Sequence, residues 1–153
     1  MLRSVLTVLT AFTFLLSTAQ KLEPKLNVNG KGLWVDGYDP VAYFADNKAV
    51  PGKPEYTFTY QGATFRFASQ AHLDLFKAAP QKYMPEYGGY CAFAIGDDAS
   101  KVSVDPKTFK VIDGKVYLFY NTAIINTLKS WNKDELRLLP AADQNWKAMK
   151  HKP

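Results

Sequence analysis

Three side chains carry donor atoms from which a metal site could be built. Cys91 is the one cysteine of the chain, and His72 is one of its two histidines. Together with the thioether of Met84, they offer a thiolate, an imidazole and a second sulfur, which suit copper better than hard cations. We therefore take Cys91, His72 and Met84 as candidate ligands of copper or another transition metal. The alternative is structural: His72 faces solvent on its helix, and Met84 fills the core.

Aromatic side chains flank two turns and suggest a pocket for a small ligand. Gly88 and Gly89 would let the backbone approach that ligand, although two glycines also serve any tight turn. Asp39 would supply the polar group of the pocket, although it could instead hydrogen-bond the turn at Pro40. The candidate ligand-binding residues are Tyr38, Asp39, Tyr43, Tyr87 and Tyr90.

The sequence offers little for catalysis. Cys91 and His72 could act as nucleophile and base, with His72 as the base because His151 lies in the terminal tail. The chain has no glycine-rich phosphate loop, nucleophile elbow or paired-histidine zinc motif. We assign no catalytic residue and favour a binding protein over an enzyme.

The N-terminus has the pattern of a secretory leader. Arg3 precedes an apolar run over residues 5–16, and small residues follow up to Ala19. The run is shorter than the roughly 20 residues of a membrane span. We therefore expect cleavage after Ala19, export to a periplasm or to the medium, and no stable membrane insertion of the mature chain. An uncleaved anchor is the alternative. The predicted organisation is a signal peptide (1–19), a flexible arm (20–32), one domain (33–148) and a tail (149–153).

The charge of the chain argues against a nucleic-acid partner. The formal net charge is +5, and the basic residues are spread along the chain instead of forming a stripe. A weak preference for anionic surfaces is the most that this charge supports. The sequence identifies no protein partner.

Export also bears on the chemistry of Cys91. A lone cysteine cannot form an intramolecular disulfide, even in an oxidising compartment. Cys91 is therefore a buried small hydrophobe, a metal ligand, a reactive thiol or a link to another molecule. The reactive and intermolecular alternatives require an accessible thiol.

Two β-hairpins are predicted to position these residues. Residues 56–67 alternate aromatic and polar side chains around a Gln-Gly turn, and residues 108–120 flank an Asp-Gly pair, a strong hairpin signal. After the first hairpin, Ser69 should cap a helix over residues 70–78. Ala71, Leu75 and Phe76 should lie on or near one face of that helix.

Further helices should follow the second hairpin. Asn121 can cap a helix over residues 122–131. Asn132 and Glu135 resemble a capping box for another helix, which Pro140 should interrupt or restart. Because strand pairs and helices are segregated instead of alternating, the predicted fold class is α+β, a compact single domain with antiparallel hairpins and several short helices.

The order of these motifs resembles the YHS domain family, and in particular its secreted single-domain members. The residues that carry the resemblance are 37–44 (GYDPVAYF), 60–69 (YQGATFRFAS), Phe76, Pro80, Tyr83 and 87–92 (YGGYCA), with an extension at Asp105, Pro106, 114–118 (GKVYL), Trp131 and 142–146 (ADQNW). The resemblance covers about residues 35–146.

The resemblance implies a metal-associated module, with one departure. YHS-like modules accompany heavy-metal transport and oxygenase proteins, and related modules bind metal through cysteines near the Asp-Pro-Val turn and at the start of the following helix. Here Ala42 follows Val41, and residues 68–72 contain no thiol. A zinc site with four thiolates is therefore excluded by the number of ligands.

These observations favour an exported YHS-domain protein that binds a metal ion or small ligand near the Asp39 turn and the Cys91 loop. Two alternatives stay open. In the first, Cys91 is a redox-active or intermolecularly bonded thiol. In the second, the protein is a structural or interaction module that meets its partner through aromatic surface.

Overall fold

The computed structural model describes residues 26–149. The predicted signal peptide, the first part of the predicted arm and the end of the predicted tail lie outside this range. The prediction of a flexible arm is wrong for residues 26–32, because this segment is part of the fold. Leu26 and Asn27 are buried, and the Asn27 N–H donates to the Gly88 carbonyl at 3.1 Å. No helix in the described range is long and apolar enough to cross a membrane.

Both predicted hairpins form, each as a separate two-stranded antiparallel sheet. The strands are β1 (Lys53–Tyr60), β2 (Ala63–Phe67), β3 (Asp105–Ile112) and β4 (Lys115–Phe119). Gln61 and Gly62 in the first turn, and Asp113 and Gly114 in the second, all have positive φ. Two successive left-handed residues make the type I′ turn, whose twist matches that of the flanking strands.

Helices surround the two hairpins. They are α1 (Pro40–Ala45), α2 (Gln70–Ala78), α3 (Ala92–Asp98), α4 (Thr127–Lys133) and α5 (Glu135–Met149), with 3₁₀ turns at Val35–Gly37, Pro80–Tyr83 and Glu86–Gly89. The Ser69 side chain caps α2 as predicted and accepts a hydrogen bond from the His72 N–H. The buried face of α2 holds Leu73 and Phe76, whereas Leu75 is exposed.

The buried residues form two hydrophobic clusters. The helices together with the two antiparallel hairpins confirm the α+β class. The first cluster includes Trp34, Val41, Tyr43, Phe65, Phe67 and Phe76. The second cluster includes Ile95, Tyr117, Phe119, Trp131 and Leu138. The first therefore supports α1 and α2, and the second supports α3, α4 and α5.

The start of α4 differs from the prediction. Asn126, not Asn121, is the N-cap, and its side chain accepts from the Lys129 N–H. The preceding residues form a tight turn in which the Thr122 N–H donates to the Ile125 carbonyl at 2.8 Å. That turn leaves Ile124 exposed to 93%, and Ile125 also lies at the surface.

The predicted interruption at Pro140 is also wrong, because α5 continues through it. Proline removes a hydrogen bond to the carbonyl four residues earlier, and Leu136 at that position is exposed to solvent. Packing against α3 supports the continuous helix. A Cβ added to Gly96 would lie 2.7 Å from the Leu138 carbonyl oxygen, which shows how closely the two helices approach.

Candidate functional site

A buried carboxylate organises the turn that leads into α1. Asp39 is fully buried and caps α1. Its Oδ1 accepts from the Val41 N–H at 2.8 Å and from the Ala42 N–H at 3.4 Å. Its Oδ2 accepts from the Ala68 N–H at 2.8 Å, at the end of the first hairpin. Asp39 therefore joins α1 to the segment that begins α2, and Pro40 favours the helix by fixing φ in its first turn.

The His72 side chain is a further hydrogen-bonding partner of the Asp39 carboxylate. It lies in the first turn of α2, and its Nδ1 is 2.6 Å from the Asp39 Oδ2. Its Nε2 is 3.8 Å from the Oδ2 of Asp46, which immediately follows α1. The side chain of His72 is 16% exposed, whereas that of Asp46 is 47% exposed. One ring nitrogen therefore faces the buried carboxylate, and the other faces a carboxylate at the surface.

This arrangement determines which nitrogen of a neutral imidazole can bind an electrophile. We assign the proton to Nδ1, because Asp39 is an acceptor. The Nε2 lone pair then points toward the side on which Asp46 lies. An imidazole oriented by a carboxylate behind it is the usual arrangement of a metal-ligating histidine.

Cys91, by contrast, is enclosed. It is the N-cap residue of α3 and is fully buried. Its Sγ lies 3.4 Å from the Thr127 Oγ1 and accepts from the Tyr120 N–H at 3.3 Å. The alternative of a reactive or intermolecular thiol requires access that this environment does not provide, and the buried interpretation of the sequence agrees with the structure.

The three candidate metal ligands do not form one cluster. Met84 follows the Pro80–Tyr83 turn and packs, half-buried, against the first hydrophobic cluster. His72 contacts Asp39 and Asp46, and Cys91 contacts Thr127. Within residues 26–149, no group of three or more His, Cys, Asp or Glu side chains could hold a metal ion.

The predicted pocket between the Asp39 turn and the Cys91 loop also needs correction. Asp39 uses its oxygens within the protein, and Tyr43 is buried, with its hydroxyl donating to the Pro106 carbonyl at 2.7 Å. Burial, with Tyr38 and acidic neighbours adding to it, raises the pKa of Tyr43 above its usual value. Tyr38 forms a β-bridge with Pro51. Asp39 and Tyr43 are therefore structural.

Tyr87 and Tyr90 lie near a different cavity. The Tyr87 hydroxyl donates to the Asp143 Oδ1 at 3.0 Å, and the Tyr90 hydroxyl donates to the Leu26 carbonyl at 3.2 Å. Burial is the main cause of a raised pKa at both tyrosines, and Asp143 adds to it at Tyr87. Tyr87 also lines an open cleft of about 370 Å³, together with Met84, Asp143 and Trp146.

Sequence reasoning missed Asp46 and Asp143. Asp46 is the residue after α1, a helix of only six residues that begins in the Asp-Pro-Val motif. The shortness of this helix is the signal that could have placed Asp46 close to the motif. Asp143 lies on α5, far along the chain from Tyr87. No local pattern indicates that contact, because it depends on how α5 packs.

The comparison with protein families agrees with the sequence motifs. Residues 41–87 match the model of the YHS domain family. The chain contains a YHS domain. The matched segment of that domain begins in α1, includes His72 and ends at Tyr87, so Cys91 lies beyond it. Metal binding is ascribed to the family. Comparison with curated proteins and with solved structures gives no significant match.

Proposed function

We propose that the protein is an exported metal-binding YHS-domain protein that takes one transition-metal ion between His72 Nε2 and the Asp46 carboxylate. The observation that carries the proposal is the 2.6 Å contact between His72 Nδ1 and Asp39 Oδ2. This contact orients the imidazole and leaves its second nitrogen available for the proposed ion. Asp39 itself has a supporting role, because its oxygens bind backbone N–H groups.

The separation of the two proposed ligands supports this arrangement. Nitrogen and oxygen ligands lie about 2.0–2.2 Å from a zinc-like ion. An ion placed between His72 Nε2 and Asp46 Oδ2, which are 3.8 Å apart, can therefore contact both with little movement. Asp46 is half-exposed, so its side chain can adjust, whereas the oriented imidazole supplies the fixed half of the site.

The donor types indicate which ions are favoured. Imidazole and carboxylate bind borderline divalent ions, and affinity for such a site rises toward Cu²⁺ along the first transition series. Soft Cu(I) is less favoured, because neither the Cys91 thiol nor the Met84 thioether is among the proposed ligands. With two protein ligands, water would complete the coordination, and binding would be weak and exchangeable.

The test is a titration of the purified protein with Cu²⁺, Zn²⁺ and Ni²⁺, followed by calorimetry and by NMR of the histidine ring protons. We expect one site, with the His72 ring signals shifting or broadening first. His72→Ala should abolish the site, and Asp46→Ala should weaken binding about tenfold, which corresponds to the loss of one charged ligand.

The second histidine provides a matched control. His151 is the other imidazole of the chain, so His151→Ala should leave the His72 site intact. Loss of binding in His151→Ala together with unchanged binding in His72→Ala would assign the metal to the tail and refute the proposal. Cys91→Ala should bind metal like the wild type.

Export is part of the proposal and rests on the leader pattern of residues 1–19. The test is N-terminal sequencing of the protein recovered outside the cytoplasm. We expect the mature chain to begin at Gln20. A chain that keeps its first residues and stays with the cytoplasmic fraction would contradict export without affecting the metal site.

An interaction module is the second candidate, and three exposed aliphatic residues favour it. Ile124, Ile125 and Leu136 are exposed to 93%, 53% and 95%. Their test is sedimentation analysis of the wild type and of Ile124→Ser and Leu136→Ser. A dimer that dissociates in these variants would support self-association through these residues, whereas a wild-type monomer would count against it.

A further inference from the structure

The open cleft noted above lies where the two halves of the fold meet. Its walls include Gln61 in the first hairpin turn, Gln81 in the following 3₁₀ turn, Met84, and Trp146 on α5. Met84 packs with the first hydrophobic cluster, and Trp146 packs with the second. A concave site between two packed units is a common place for a small ligand.

The charges of the cleft favour a ligand without net charge. Glu86 and Asp143 supply two carboxylates, and Lys115 and Lys147 supply two ammonium groups, so the formal charges of the lining cancel. Lys115 lies 4.0 Å from Glu86, so opposite charges also meet locally. A free anion or cation would gain from one pair and be repelled by the other.

The polar groups of the cleft suit hydroxyl groups. Gln81 uses its Nε2 to donate to the Tyr60 hydroxyl at 2.7 Å, which fixes the amide in place. Asp143 accepts the Tyr87 hydroxyl through Oδ1, so its Oδ2 is the oxygen that we assign to a ligand. Amide and carboxylate groups accept hydroxyl donors, and an amide also donates.

Tyr87 and Gly88, which line the cleft, are held in place by the surrounding structure. Tyr87 and Gly88 have φ of 58° and 64°, in the left-handed region, which a tyrosine adopts only when its surroundings hold it there. The Gly88 carbonyl accepts from the Asn27 N–H and from Trp34 Nε1 at 3.1 Å each. A site that is already ordered loses less entropy when a ligand binds.

We propose that this cleft binds a neutral, polyhydroxylated small molecule of the saccharide class. The ligand hydroxyls would bind Gln81 and Asp143, and its C–H face would pack against Trp146. The site is separate from the proposed metal site, because none of its lining residues is Asp39, Asp46 or His72.

Trp146 makes the proposal directly measurable. Trp34 and Trp131 are fully buried, whereas Trp146 is half-buried and lines the cleft. The purified protein is titrated with glucose, N-acetylglucosamine and maltose, and tryptophan fluorescence and backbone amide NMR are followed. We expect a saturable change with at least one saccharide, and amide shifts confined to the Met84–Gly88 segment, the hairpin turn at Gln61 and α5.

Variants separate binding in the cleft from other effects. Asp143→Ala and Gln81→Ala should each weaken binding about tenfold, as expected for the loss of a hydrogen bond to the ligand. Asp143→Asn keeps an acceptor for Tyr87 and tests whether the fold survives. Asp74→Ala removes an exposed carboxylate on α2 outside the cleft and should bind like the wild type. His72→Ala should also bind saccharide normally.

Three results would overturn the proposal. The first is no response to any of the three sugars at concentrations that would saturate a millimolar site. The second is an equal response to sodium glutamate or choline chloride, which would show that the ligand class is wrong. The third is unchanged saccharide affinity in both Asp143→Ala and Gln81→Ala. A loss of metal binding with normal saccharide binding would leave this inference standing and refute the metal proposal alone.

Discussion

His72 and Cys91 both lie at the beginning of a helix, yet their surroundings are opposite. His72 is in the first turn of α2, is partly exposed, and lies between two carboxylates. Cys91 caps α3, is fully buried, and contacts a hydroxyl and a backbone N–H. Both side chains carry donor atoms for a metal, but only His72 has a donor atom, its Nε2, on the solvent side.

The difference shows that accessibility, more than residue type, separates a candidate ligand from a structural residue here. A buried free cysteine behaves as a small hydrophobic residue with weak hydrogen bonds. An imidazole supported by a buried carboxylate keeps a fixed orientation and an available lone pair. Substitutions near His72 and at Cys91 test this difference, because they should change stability, metal affinity and thiol access to different extents.

The largest expected effect is that of Asp39→Ala. This substitution leaves the N–H groups of Val41, Ala42 and Ala68 and the Nδ1 of His72 without their acceptor. Buried donors without partners are costly, so we expect a loss of about 3–5 kcal/mol in the free energy of unfolding. Chemical denaturation measures this loss.

Asp46→Ala is the matched control for that substitution. Its carboxylate is half-exposed, so stability should change by no more than about 0.5 kcal/mol, while metal affinity falls. Equal destabilisation by the two substitutions would contradict the proposed division between a supporting carboxylate, Asp39, and a ligating one, Asp46.

A smaller effect is expected at Cys91. Cys91→Ala removes a fully buried sulfur and should lower stability by about 2 kcal/mol, because a small cavity forms and two weak hydrogen bonds are lost. In the native protein the thiol should react with a labelling reagent only as fast as the structure opens. Labelling as rapid as that of the unfolded chain would show that the thiol is accessible after all.

The last prediction concerns alkaline pH and compares the two hydrophobic clusters. Burial raises the pKa of Tyr43 in the first cluster and of Tyr87 in the second above the ordinary 10.0. In the second cluster, burial also raises the pKa of Tyr117 to about 12. Because the folded state favours the protonated phenols, their contribution is fully present below pH 10 and is lost as the pH rises above it.

We expect the free energy of unfolding to fall by about 1.4 kcal/mol per pH unit for each such tyrosine above pH 10. Tyr43→Phe and Tyr87→Phe should each reduce this slope, as measured by denaturation at a series of alkaline pH values. Tyrosinate absorbance monitors ionisation in the same samples. A slope unchanged in both variants would show that these phenols ionise normally in the folded protein.

Local patterns predicted the elements that depend on neighbours in sequence. The alternation of aromatic and polar residues indicated the first hairpin, and the Asp-Gly pair indicated the second. Ser69 was expected to cap α2 and does so. Asp39 was also recognised as a possible partner of the Pro40 turn, because a short acidic side chain binds the backbone a few residues ahead.

Local patterns failed where contacts distant in sequence outweighed local preference. Asn121 has good capping chemistry, but its side chain binds Asp105 and Thr108, and the cap is Asn126. The capping box expected from Asn132 and Glu135 is likewise absent, because both accept from Lys110 on β3. In each case a contact with the second hairpin replaces the predicted local one.

The sequence by itself determined the fold class, the two hairpins, the YHS resemblance and the residue types from which a site could be made. Only the tertiary structure decided which of those residues are enclosed and which reach the surface. It placed a buried carboxylate behind His72, a surface carboxylate before it, and a closed shell around Cys91. The reason is physical: turn chemistry and hydrophobic periodicity act between near neighbours, whereas burial and the distance between two donor atoms depend on how distant segments pack.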